Sequence, residues 1–116
     1  MKDKVIPYDE PYTFQVKLKH LEEGKLIIGI VDWKNQLLER TSYNSKNAVA
    51  YSSMFGTIYH GEGTKETGLS ANTGMIVTVH VYLKMGRVSW TVDGSQIGEI
   101  DLEWIKNRSR EFVPYL

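Results

Sequence analysis

The clearest pattern in the chain is an alternation of apolar and polar positions with period two. Met75, Val77, Val79, Val81 and Leu83 alternate with Ile76, Thr78, His80, Tyr82 and Lys84. Beyond the short loop Lys84-Met85-Gly86, Val88, Trp90 and Val92 alternate with Arg87, Ser89 and Thr91. Successive side chains of a strand point to opposite faces, so each run predicts a strand with one buried face. Asp93-Gly94 closes the second run, because both residues tolerate the positive φ of a tight hairpin. The Trp90 strand is therefore the centre of an antiparallel meander, with a further short strand predicted over Ile97 to Ile100.

The same signal recurs more weakly elsewhere. Tyr12, Phe14, Val16 and Leu18 alternate with Thr13, Gln15, Lys17 and Lys19, which predicts a half-exposed strand. "LIIGIV", Leu26 to Val31, is apolar throughout and reads as a strand covered on both faces, with Gly29 where a neighbour packs close. Short strands are expected over Ala48 to Ser52 and Thr57 to His60. "GEGTKETGLSANTG", Gly61 to Gly74, reads as one long irregular surface loop. Asp101 to Ile105 predicts one capped helical turn, with Trp104 and Ile105 packing down. "EFVPYL" reads as a closing strand whose Pro114 suits a sheet edge. Short, regularly spaced strands without an amphipathic helix predict an all-β fold, an antiparallel two-sheet β-sandwich. Its expected core is Phe14, Val16, Val77, Val79, Val81, Val88, Trp90 and Val92.

Composition narrows the function classes. A chain of 116 residues is the size of one domain, here 1–116. The formal net charge is zero, so nothing steers the chain to a polyanion, and nucleic acid is not an expected partner. There is no cysteine, which excludes disulfides and thiolate metal sites and is compatible with a reducing, intracellular compartment. "MKDKVIPYDE" lacks the apolar segment of a signal peptide, and no run approaches membrane-spanning length, so no membrane partner is expected. Asn107-Arg108-Ser109 fits a glycosylation sequon and reads as an unmodified polar turn in the absence of an export signal.

The order of segments carries a resemblance. "YTFQVKL", "LIIGIV", "AVAY", "IYHGEG", "TGMIVTVHVYLKMGRVSWTVDGSQIG" and "FVPYL" follow one another as the strands of SPRY domains do. The match runs from about Tyr12 to Leu116 and is closest over Gly74–Gly98, where Asp93-Gly94 stands at the family's Asn-Gly turn. Gly74-Met75 replaces the family's Gly-Asp, Lys84 replaces an aspartate, and the family's usual final strand has no counterpart after Leu116. The resemblance implies a concanavalin-like sandwich serving as a noncatalytic protein-interaction module in adaptors and scaffolds. It implies a protein or peptide partner held by loops at one end, and no cofactor. Either the chain is a fragment, or the final strand is replaced by another segment or another chain; one sheet edge is in question, and edge-strand pairing is one route to an oligomer.

The candidate partner-binding residues are Tyr59, His60, Trp33, Tyr43, Asn44 and Tyr51. Tyr59-His60 matches the start of the "Y-H-D-G" segment of peptide-binding SPRY domains, here followed by Gly61-Glu62. Trp33 and Tyr43-Asn44 lie in polar connections, and Tyr51 flanks them, with a core role as its alternative. Trp and Tyr offer large apolar area with a polar handle, which suits interaction surfaces. The competing classes are a noncatalytic sugar-binding sandwich, with Trp33, Tyr43 and Tyr59 stacking on sugar rings, and a glycosidase. Glu99-Ile100-Asp101-Leu102-Glu103 resembles the "E-I-D-x-E" signature of retaining β-glucanases, whose alternating carboxylates share one strand face. Those enzymes are much longer, and their motif lies mid-chain on a central strand. The expectation here is a solvated strand end without chemistry. His20, His60 and His80 match no zinc spacing, and no nucleophile elbow is present, so no metal or catalytic residue is expected.

Overall fold

The structure is a computed structural model that describes residues 5–18, 27–33, 47–53, 56–67, 69–71 and 74–115. Among the described residues, nine strands form two antiparallel sheets. They are β1 (Tyr12–Lys17), β2 (Ile27–Asp32), β3 (Ala48–Ser52), β4 (Thr57–Tyr59), β5 (Thr64–Glu66), β6 (Ile76–Tyr82), β7 (Arg87–Val92), β8 (Ser95–Asp101) and β9 (Phe112–Tyr115). One sheet has the order β1-β6-β7-β8 and the other β5-β4-β3-β2-β9. Leu83–Met85 and Trp104–Lys106 are 3₁₀ turns. No helix among the described residues is long and apolar enough to cross a membrane.

The alternation predicted for β6 and β7 sets the core. Val77, Val79, Val81, Val88 and Trp90 are at most 1% exposed and face Ile28, Ile30, Val49, Tyr51 and Ile58 of the other sheet. Phe14, Val16 and Val92 pack against this cluster but are only half-buried. β1 is an edge strand and Val92 ends β7, so neighbours cover these residues on fewer sides. The turn after β7 has Asp93 at φ 50° and Gly94 at φ 87°, the left-handed pair expected of a two-residue hairpin. His80 is exposed on the outer face, its Nδ1 3.4 Å from the Thr13 hydroxyl.

Two elements differ from the expectation. Thr64–Glu66 is not loop but strand β5, paired with β4. Its side chains are all exposed, so the sequence carries no apolar alternation there, and backbone pairing alone defines the strand. β8 begins at Ser95 rather than Ile97, because the Asp93-Gly94 turn feeds directly into pairing with β7. A bulge between Trp90 and Thr91 shifts the register within that pair.

β2 is covered on both faces, as its continuous apolar run requires. Ile28 and Ile30 face the main core, whereas Val31 joins Ala48 and Val113 in a second cluster against which Trp33 packs. Gly29 lies beside β3 so closely that a Cβ would stand 1.9 Å from the Val49 carbonyl oxygen and 2.6 Å from Ala50 Cα. Because these neighbours are backbone, the sheet itself must shift to admit one. Gly29→Ala is expected to destabilise the domain by about 1–3 kcal/mol or more, read as a lower urea midpoint at unchanged m-value. The β9 edge carries Pro114, and Ile6 donates its N–H to the Phe112 carbonyl at 2.8 Å, so the N-terminal segment covers the start of that edge.

Candidate functional site

The antiparallel registers bring several chain segments to one end of the sandwich. β2 ends at Asp32 opposite Phe112, the first residue of β9, while β3 starts beside Val31 and β4 ends beside Ala50. The turn after β4 and the segment from the second 3₁₀ turn to β9 meet there. A cleft of about 460 Å³ opens between them, lined by Gly61, Glu62, Trp104 and Arg110. An adjoining depression of about 510 Å³ shares Glu62, Trp104 and Arg110 and adds Glu103, Lys106 and Asn107.

Trp104 is the centre of this site. Its ring packs on the buried Phe112, with centroids 5.8 Å apart, and its indole N–H donates to the His60 carbonyl at 3.1 Å. That bond ties the β4–β5 turn to the 3₁₀ turn. His60 in turn donates its backbone N–H to the Gly63 carbonyl at 3.1 Å, closing the hairpin. Arg110 lies over the Trp104 ring, its guanidinium carbon 4.9 Å from the centroid, at a distance typical of cation–π contact. The same guanidinium donates to Asp32 at 3.0 Å and to the Asn47 side-chain oxygen at 3.3 Å. Asp32 is 0% exposed and Arg110 one-quarter exposed, so the pair runs from the interior to the cleft wall.

The sequence candidates divide. Tyr59 and His60 are half-buried at the end of β4; the His60 carbonyl accepts from Trp104, and the next residue, Gly61, lines the cleft. Trp33 is at the same end, but it packs on Val31, Ala48 and Val113 and donates its backbone N–H to the Glu111 carbonyl at 3.1 Å. Tyr43 and Asn44 fall outside the described residues. Tyr51 requires a correction. It is 0% exposed, and its hydroxyl donates to the Leu69 carbonyl at 2.8 Å, so it is a core residue with no surface for a partner. Its place on β3 puts its side chain between the sheets, across from Ile58.

Burial pushes the Tyr51 hydroxyl up to about 12 from its ordinary value of 10.0. A raised folded-state value means that the contribution to stability is full below about pH 10 and is lost as the pH rises towards 12. Tyr51→Phe is expected to flatten the fall in stability across that window, measured by urea titrations at stepped pH. At neutral pH it should cost about 1 kcal/mol for the lost hydrogen bond.

Trp104, Arg110, Asp32 and Glu62 were not among the sequence candidates. The available signal was Asp32, a carboxylate closing the apolar run "LIIGIV", since a buried charge requires a partner. The glucanase-like motif is broken up. Glu99 and Asp101 lie on β8 with Arg87, 4.0 Å and 3.0 Å from its Nε, whereas Glu103 is past the strand end and pairs with Lys106. The hydrogen bond to Asp101, then the charges of Asp101 and Glu99, strengthen the hold of Arg87 on its proton. The helical turn forms at Trp104–Lys106 as expected, with Ile105 fully buried, but no side chain caps it.

No family model matches this sequence, and no curated protein does. Among solved structures, the SPRY domain of human HERC1 is similar, with a TM-score of 0.70 at 14% identity over 93% of this chain. The chain spans 66% of the length of that domain. Two antiparallel sheets in this strand order, together with that likeness, give the chain the SPRY β-sandwich fold.

Proposed function

We propose that the protein is a noncatalytic interaction module that holds a peptide segment or protein loop at the Trp104 end of the sandwich. The observation that carries this reading is the cleft between the β4–β5 turn and the segment before β9, walled by a half-buried tryptophan and braced by a buried ion pair. Such a wall offers rigid apolar area with polar groups around it, which suits a binding anchor. The SPRY fold supports the reading, since interaction is the use to which that fold is put. Tyr59 and His60 directly precede Gly61 of the cleft wall, and Trp33 lies at the same end. The separation of Glu103 from Glu99 and Asp101 supports a domain without glycosidase chemistry. Glu99→Gln is therefore expected to change no hydrolytic activity on β-glucan, and measurable hydrolysis abolished by that substitution would overturn this part of the reading.

The test is selection of peptides from a random phage-displayed library, then calorimetric titration of a selected peptide against wild type, Tyr59→Ala and Lys17→Ala. Tyr59→Ala is expected to weaken binding more than about tenfold, the loss of about 1.4 kcal/mol or more, with little change in the thermal melt. Lys17→Ala, on the exposed face of the edge strand β1, should bind as wild type. Equal binding by all three proteins would place the site elsewhere.

A further inference from the structure

The charges around the cleft are unevenly matched. Its two cations are already engaged, because Lys106 lies 2.5 Å from the Glu103 carboxylate and Arg110 lies 3.0 Å from buried Asp32. Glu62 lines both parts of the cleft and is exposed, and no ion pair or hydrogen bond reaches its carboxylate from the described residues. Counting Asp32 with Arg110, the described residues of the site therefore carry one unmatched negative charge beside the Trp104 ring. We infer that the segment held in this cleft presents an arginine side chain, whose guanidinium pairs with Glu62 against the Trp104 wall.

This inference rests on the interaction reading above and adds the chemistry of the partner. An acidic segment would meet Glu62 and find both cations occupied. An apolar or neutral segment would strip water from the Glu62 carboxylate and supply no charge in return, which costs free energy. A guanidinium answers both conditions. Its planar fork matches the Glu62 carboxylate with two parallel hydrogen bonds, and it is weakly hydrated enough to give up water at the cleft wall. Lysine supplies the same charge, but as a strongly hydrated point charge without the fork, so arginine should bind more tightly.

The experiment uses the whole chain labelled with ¹⁵N and four acetylated, amidated pentapeptides that differ only at the centre: Gly-Ser-Xaa-Ser-Gly with arginine, lysine, glutamine or glutamate. The reporter is the Trp104 indole N–H resonance, assigned by its loss in Trp104→Phe. The arginine peptide is expected to shift that resonance with an affinity about fivefold above the glutamine peptide, the size of one exposed charge pair. The glutamate peptide should be weakest, and added salt should erase the ranking. Glu62→Gln should remove the arginine preference, and Glu62→Lys should transfer it to the glutamate peptide. If all four peptides shift Trp104 equally, the interaction reading stands and the arginine preference is wrong. If none shifts it, both are wrong. If Glu62→Gln retains the full ranking, another carboxylate supplies the selectivity and the assignment to Glu62 falls.

Discussion

Trp90→Ala is expected to cost about 3–5 kcal/mol of folding stability, enough to unfold a domain of ordinary marginal stability. The magnitude follows from what the ring does. Trp90 is 0% exposed at the centre of β7, and its indole N–H donates to the Ile28 carbonyl at 3.0 Å. Ile28 belongs to β2 in the opposite sheet, so one side chain both fills the space between the sheets and joins them. Alanine would leave a cavity and an unpaired buried carbonyl together. Trp90→Phe separates these terms, since it keeps most of the volume and loses the donor. It should cost about 1–3 kcal/mol, less than alanine. Guanidinium titrations of the three proteins, followed by far-ultraviolet circular dichroism, measure the order. Equal stability of wild type and Trp90→Phe would remove the bridging bond from the account.

A loss of similar size is expected at the far end of the sandwich. Arg110→Met should destabilise the domain by about 3–5 kcal/mol, because it removes the Arg110 cation from the fully buried Asp32 carboxylate. The cost belongs to the abandoned charge rather than to the bond as such. Asp32→Asn combined with Arg110→Met should therefore be more stable than Arg110→Met alone, a non-additivity that a double-mutant cycle reads directly. The contrast is Arg108–Asp9, where both side chains are about two-thirds exposed. Arg108→Met should cost no more than about 1 kcal/mol. If Arg110→Met and Arg108→Met proved equally mild, the brace at the cleft would be a surface pair and the rigidity assigned to Trp104 would lose its basis.

The sandwich was legible where side-chain periodicity specifies it. β6 and β7 alternate cleanly because one face meets the core, and Asp93-Gly94 marks its turn by the backbone angles that these residues tolerate. β5 was hidden because its three residues are all exposed, so only backbone pairing marks it. Tyr51 was ambiguous for a related reason. In "AVAYS" every residue is buried, and a strand covered on both faces shows no alternation from which to assign an orientation. The cleft was less legible still. Trp104 could be expected to pack down, but its bond to the His60 carbonyl joins residues 44 positions apart. Arg110 reaches Asp32 across 78 positions, a contact that depends on β9 returning beside β2. Such long-range meetings depend on sheet topology, and local pattern does not encode them.

A partner segment is proposed to sit in the cleft walled by Trp104. The most direct measurement is a ¹⁵N titration with a library-selected peptide that follows the three tryptophan indole resonances, since the chain has Trp33, Trp90 and Trp104. The expected result is a saturating shift of Trp104, with backbone shifts at His60, Gly61 and Glu62, while buried Trp90 stays in place. A peptide that binds with comparable affinity but leaves Trp104 and the β4–β5 turn unmoved, shifting instead the outer face of the β1-β6-β7-β8 sheet, would contradict it.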